Sequence, residues 1–179
     1  MSLIQKLFQK KTKQVNMTII GLDKAGKTTM INYLMYGEFR PTLPTMGINV
    51  NTIKLPKINL QISDLGGQES FRSLWSQVNE KSDAVVYIVD SSDFDRFDET
   101  KKIFHEIIET QITDNIPVLI LLNKIDIPWR ISRLDFIKEF ELSKLSEKIN
   151  WSCYETSSKT GEGLLEAFSY FIDLLEDSA

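Results

Sequence analysis

Residues 21–28 read GLDKAGKT, a Gly-x-x-x-x-Gly-Lys-Thr spacing that makes physical sense at one kind of place, the turn from a buried strand into a helix. The flanks supply that context. VNMTIIGL at 15–22 is a short apolar run, and KTTMINYLMYGEF from residue 27 has helical spacing that ends near Gly37. There Gly21 and Gly26 let the backbone wrap close to phosphates, and the helix start contributes N–H groups and the positive end of its dipole. Lys27 meets the β- and γ-phosphates and Thr28 is placed to ligate Mg²⁺, with Asp23, Lys24, Ala25 and Thr29 completing the cradle.

The rest of the chain repeats the alternation that such a turn requires. Apolar stretches AVVYIVD (84–90), PVLILLNK (117–124) and WSCYETSS (151–158) are interleaved with helical patterns over 98–112, 132–142 and 163–175. Near-continuous apolar strands separated by helices predict a mostly parallel α/β sheet covered on both faces. Only INVNTIK (48–54) and INLQISD (58–64) follow one another without a helix, and their alternation predicts an antiparallel hairpin with one covered face. With 179 residues and no repeat or linker, the chain divides into an N-terminal segment, 1–14, and one domain, 15–179.

A phosphate loop does not choose a base. NKID at 123–126 follows the strand PVLILL, at the carboxyl end where ligands bind open α/β sheets. Guanine presents N1–H and N2–H donors that one carboxylate accepts together, so Asp126 is the base reader. Asn123 bonds the acceptor edge or ties this loop to the phosphate loop, and the Lys124 stem lies along the ring. In DLGGQ (64–68), Asp64 would hold Mg²⁺ through water, Gly67 would bring its N–H against the γ-phosphate, and Gln68 would orient an attacking water. In the irregular loop RPTLPTMGINV, Thr45 is the candidate to close over Mg²⁺ and γ-phosphate. Lys27, Thr45 and Gln68 are thus the candidate catalytic set, and Thr28, Thr45 and water-linked Asp64 the candidate metal set.

Charge and composition remove other classes. Lys6, Lys10, Lys11 and Lys13 lie in the first 14 residues without an acid, leaving 17 basic against 25 acidic side chains in the body. An acidic body argues against nucleic-acid binding. One cysteine, Cys153, allows no internal disulfide and favours a cytoplasmic setting. No apolar stretch approaches a membrane span, and the start lacks the pattern of a secretory signal. His105 is expected on a helix surface, Cys153 as a small buried hydrophobe, and Phe168, Phe171, Ile172 and Leu175 as core.

GLDKAGKT, PTLPTMGINV, DLGGQESFRSLW and NKID together resemble the Arf/Arl branch of the Ras-like small GTPases, in order over residues 15–175. Asp23, the PTxxTxG loop, the doubled glycine before Gln68 and the R-x-L-W of Arg72 to Trp75 carry the branch. The resemblance implies a six-stranded sheet of order 2-3-1-4-5-6 with one antiparallel strand, helices on both faces and an N-terminal amphipathic helix. It further implies a GTP/GDP switch with slow Mg²⁺-dependent hydrolysis, loops near 40–50 and 66–80 that change with nucleotide, and a hairpin that slides in register with the N-terminal helix. TSSKTGEG at 156–163 is closer to Ras and Rab proteins, in which the backbone near Ser158 and Lys159 contacts guanine O6. The implied partners are effectors, an exchange factor and a GTPase-activating protein that brings the arginine which Arg40 and Arg72 do not supply. The chain is expected to be monomeric.

Departures from that family are local. Where Arf proteins present an aromatic triad to effectors, this chain has Ile48, Ser63 and Val78. Lys24 replaces a small residue and is a candidate to offset Asp23. Leu3, Ile4, Leu7 and Phe8 fall on one helical stripe with Lys6, Lys10 and Lys13 on or near the other side. That pattern suits reversible contact of residues 2–13 with an anionic membrane, hence peripheral membrane association, or equally packing on the domain itself. Ser2 stands where acylated members of that family have glycine, so N-myristoylation is not expected, and no prenylatable cysteine is expected from the terminal EDSA. Two other readings remain open at this level: a module that holds GTP with negligible hydrolysis, and a small P-loop kinase.

Overall fold

A computed structural model of the chain describes residues 13–55, 58–112, 116–145 and 149–177. β1 (Lys13–Ile20) leads to α1 (Lys27–Tyr36), and the hairpin is β2 (Ile48–Lys54) with β3 (Ile58–Leu65). Two short helices, α2 (Glu69–Arg72) and α3 (Trp75–Asn79), precede β4 (Ala84–Asp90). A 3₁₀ turn at Phe94–Arg96 opens α4 (Phe97–Thr110). β5 (Val118–Asn123) is followed by α5 (Arg133–Glu139) and a second 3₁₀ turn at Leu142–Leu145, then β6 (Trp151–Glu155) by α6 (Leu164–Asp177).

Among the described residues the strands form one six-stranded sheet of order β2-β3-β1-β4-β5-β6. β2 runs antiparallel to β3, with Ile48 opposite Leu65 and Asn51 opposite Ile62, and every other pair is parallel. Ala84 to Val89 and Val118 to Asn123 are all buried, as strands covered on both faces must be. The period of two then sorts them. Ala84, Val86 and Ile88 face Met30, Ile31, Phe168, Phe171 and Leu175 of α1 and α6, whereas Val85, Tyr87 and Val89 face Trp75, Phe104, Phe136 and Phe140. Each such large side chain contributes about 1.5–3 kcal/mol by leaving water.

Several ends shift from the sequence expectation for visible reasons. α4 begins at Phe97 because Asp93 accepts from Arg96 N and starts the preceding 3₁₀ turn. α5 starts after Ser132, whose Oγ accepts from Asp135 N at 3.1 Å, and it stops at Glu139, with Glu141 turned to φ 52°. The hairpin's covered face holds for β3 (Ile58, Leu60 and Ile62 buried) but fails for the start of edge strand β2, where Ile48 and Val50 are exposed. His105 is not a free surface histidine: its Nε2 donates to Phe140 O at 3.0 Å and its ring meets Phe104 edge-on. Cys153 is buried, and burial pushes its thiol up to about 12. Trp129 is exposed.

The N-terminal helix and its basic, apolar stripe lie outside the described residues apart from Lys13 and Gln14, which already belong to β1 and pair with Ile58 and Asn59. Lys13 Nζ donates to Leu175 O at 3.2 Å, capping the end of α6. No helix among the described residues is long and apolar enough to cross a membrane.

Candidate functional site

β1 ends at Ile20, and the chain folds over its own strand end before α1 begins. Gly26, at φ 101°, is the residue before α1, and a Cβ there would stand 2.3 Å from Asn123 Nδ2. Lys27 Nζ turns back into the loop and donates to Gly21 O at 2.9 Å and Leu22 O at 2.7 Å. Burial pulls its ammonium down to about 8, against the opposing pull of Asp64 and Asp23. The result is a buried cation and a helix N-terminus facing one cavity, an arrangement that attracts polyanions.

Beneath the loop, Thr28 Oγ1 donates to Asp64 Oδ2 at 2.6 Å and lies 2.6 Å from Thr45 Oγ1, which also donates to Asp64 at 3.3 Å. Asp64 is buried, burial raises its pKa, and its Oδ1 has no hydrogen-bond partner among the described residues. An orphaned carboxylate oxygen beside two hydroxyls is an all-oxygen set, which suits a hard divalent cation.

The wall opposite comes from the segment after β3. Gly66 N donates to Gly47 O at 2.9 Å, and Gly67 lies against the Leu22–Asp23 backbone. Gln68 is exposed at the cavity edge.

At the far end, Asn123 is a buried knot. Its Nδ2 donates to Ala25 O at 2.7 Å, and its Oδ1 accepts from Ser158 N at 2.8 Å and Ser158 Oγ at 3.0 Å. Asn123→Ala leaves Ala25 O and the Ser158 groups unpaired. We expect a loss of about 3 kcal/mol, read as a fall of roughly 6–12 °C in the unfolding midpoint; an unchanged midpoint contradicts this. Ser157 Oγ donates to Asp126 Oδ1 at 2.7 Å, and Lys159 Nζ is 3.8 Å from Asp126 Oδ2. Lys124 Nζ donates to Asp90, which also accepts from Ser92. Burial raises the Asp90 pKa, but the Lys124 and Ser92 bonds outweigh that and hold it below the ordinary value.

A cavity of about 480 Å³ is lined by Asp23, Lys24, Gly26, Lys27, Thr28 and Thr29 on one side and by Thr45, Gly67 and Gln68 on another. Asn123, Lys124, Asp126, Ser158 and Lys159 close its far end. Two expected residues do not line it: Ala25 contributes its carbonyl to Asn123, and Asp64 sits below the threonines. Phe39, Thr42 and Leu43 line it without a motif of their own. Asp23 pairs with Arg96 and not with Lys24: Arg96 Nη1 donates to Asp23 Oδ1 at 2.8 Å and Nη2 to Asp23 O at 3.2 Å, while Asp93 grips the same guanidinium. The only sequence signal for Arg96 is its place just past the end of β4.

The sequence model of the ADP-ribosylation factor family matches residues 1–175. The chain is 37% identical over 167 residues to ADP-ribosylation factor 1 of Brassica rapa subsp. pekinensis, covering 93% of this chain and 91% of that one. It is 35% identical over 165 residues to ADP-ribosylation factor-like protein 1 of Saccharomyces cerevisiae, covering 92% and 90%. In fold it resembles the Arl6 BBS3 small GTPase of Trypanosoma brucei, solved with the nucleotide analogue GppNp, at a TM-score of 0.84 and 24% identity. That alignment covers 93% of this chain and all of the other.

Proposed function

Because the chain belongs to the ADP-ribosylation factor family of small GTPases, and so is a GTP-regulated switch of membrane trafficking, we propose that the cavity is its guanine-nucleotide and Mg²⁺ site. One observation carries the assignment: the phosphate loop, Thr45, Gly67 and the NKID carboxylate line a single cavity. Asp23 to Thr29 would hold the phosphates, and Asn123, Lys124, Asp126, Ser158 and Lys159 the base. Thr28, Thr45 and, through water, Asp64 would hold Mg²⁺, which when bound neutralises charge on the β- and γ-phosphates. Gln68 would orient the attacking water beside Lys27. Asp126 is held for base reading by Ser157, and Lys27 is already folded into the phosphate cradle.

Hydrolysis without help is slow, on the order of 10⁻⁴ to 10⁻² per second, and a GTPase-activating partner's arginine adds roughly 10³ to 10⁵. Arg72 is engaged elsewhere, donating to Gly67 O and to Glu99, which supports an arginine supplied from outside. The domain works as a cytoplasmic monomer that meets membranes peripherally through residues 2–13 and passes its nucleotide state to effectors; an exchange factor reloads it. Purification with identification of the bound nucleotide, followed by GTP and ATP turnover with Mg²⁺, tests this. Tight GDP or GTP with slow phosphate release supports it, and ATP-dependent labelling of a small acceptor overturns it. Flotation with anionic liposomes should be stronger for the GTP form than for the GDP form, and deletion of residues 2–13 should erase the difference. Equal flotation of both forms removes the membrane coupling.

A further inference from the structure

We propose that Trp75, seconded by Arg72, is a positioning residue that aims the Gly67 and Gln68 N–H groups at the γ-phosphate of GTP; the inference rests on the guanine-nucleotide reading above. The Trp75 indole is buried among Leu65, Val85 and Tyr87, and its Nε1 donates to Gly66 O at 3.1 Å. Gly66 O and Gly67 N–H belong to one peptide group, and that peptide is not cis. A trans peptide points its carbonyl and its N–H in opposite directions. Holding the carbonyl inward therefore turns the Gly67 N–H outward, away from the core and toward the cavity that Gly67 lines.

The neighbouring bonds keep that plane from rotating. On the chain-start side, Gly66 N is fixed to Gly47 O at 2.9 Å. On the other side, Arg72 Nε donates to Gly67 O at 3.2 Å, and its guanidinium is braced by Glu99 Oε1 at 2.8 Å. The same opposition of carbonyl and N–H turns the Gln68 N–H away from Arg72. A buried indole N–H needs an acceptor, so Trp75 does not release Gly66 O freely. The R-x-L-W run thus serves as a rear clamp on two successive peptides. Two glycines have no side chains to fix their own backbone, which is why a clamp from outside is needed. GDP lacks the γ-phosphate that these N–H groups would meet, so the clamp acts on GTP alone.

Trp75→Phe removes the donor and keeps an aromatic ring, and benzothienylalanine placed at position 75 keeps the bicyclic shape while losing only the N–H. Affinities for GDP and for a non-hydrolysable GTP analogue are measured by competition on the full chain, alongside the unfolding midpoint. In both variants the preference for the GTP analogue over GDP should fall by roughly five- to tenfold, with the GDP affinity held within about twofold. An unchanged preference, or equal losses for both nucleotides as a packing defect gives, overturns the proposal. If Trp75→Phe does not fold, the benzothienylalanine chain decides. If the unchanged chain binds neither nucleotide, the guanine-nucleotide reading falls and the clamp falls with it.

Discussion

Gly67→Ala should abolish the closed GTP arrangement while sparing GDP binding. A Cβ on Gly67 would stand 2.3 Å from Asp23 N, 2.4 Å from the Leu22 carbonyl carbon and 2.5 Å from Lys27 Nζ. A lysine tip can move, but the Leu22–Asp23 peptide cannot, since Arg96 grips Asp23 through both side chain and carbonyl. The segment must retreat instead, and it takes the Gly67 N–H and Gln68 with it. Losing one preorganised donor to a developing charge costs about 10²- to 10³-fold in rate. Single-turnover GTP hydrolysis should fall by roughly that factor, and the preference for a GTP analogue over GDP should fall with it. Wild-type turnover in Gly67→Ala would show that Gly67 has no part in the phosphate site.

Asp126→Asn should exchange the base. A carboxylate accepts both N1–H and N2–H of guanine, whereas an amide offers one acceptor and one donor. Xanthine keeps N1–H but carries a carbonyl at C2, which is the partner an amide can satisfy. Hydrogen bonds to a charged group are worth about 1.5–3 kcal/mol each, so losing the match weakens GTP by roughly 10²- to 10³-fold. Xanthosine triphosphate should gain by a similar factor. Ser157 Oγ already donates to Asp126 Oδ1, and an asparagine oxygen turned to the same hydroxyl preserves the geometry. Competition binding with GTP, ATP and xanthosine triphosphate reads the result. A substitution that weakens all three alike would place Asp126 outside the base site.

The parts of the molecule that repeat a local rule were legible in the chain. Strand β4 was legible to the residue because AVVYIV is an unbroken run of apolar and aromatic side chains between Asp83 and Asp90. Much of the cavity's lining followed from motifs at strand ends, whereas Phe39, Thr42 and Leu43 carry no motif that announces them. What the sequence hid were contacts between elements far apart in the chain. Arg96 reaches Asp23 across 73 positions, and His105 meets Phe140 across 35. No periodicity encodes such pairs, because each depends on which helix lands beside which loop. The short helices α2 and α3 escaped for a different reason: four and five residues are too few to display a helical period. The exposed start of β2 reflects sheet order, since an alternating strand covers its apolar face only if something packs on it.

The bond from Lys13 to the last turn of α6 ties the amino end of β1 to the final helix. That junction lies at the amino end of β1, whereas the phosphate loop leaves from its carboxyl end, eight residues on. At about 3.3 Å per residue the two ends are roughly 25 Å apart. A surface that meets the amino-strand end of the domain therefore leaves the cavity, at the opposite end of the sheet, uncovered. Nucleotide, and partners that exchange it or stimulate its hydrolysis, could then reach the cavity while that end stays engaged.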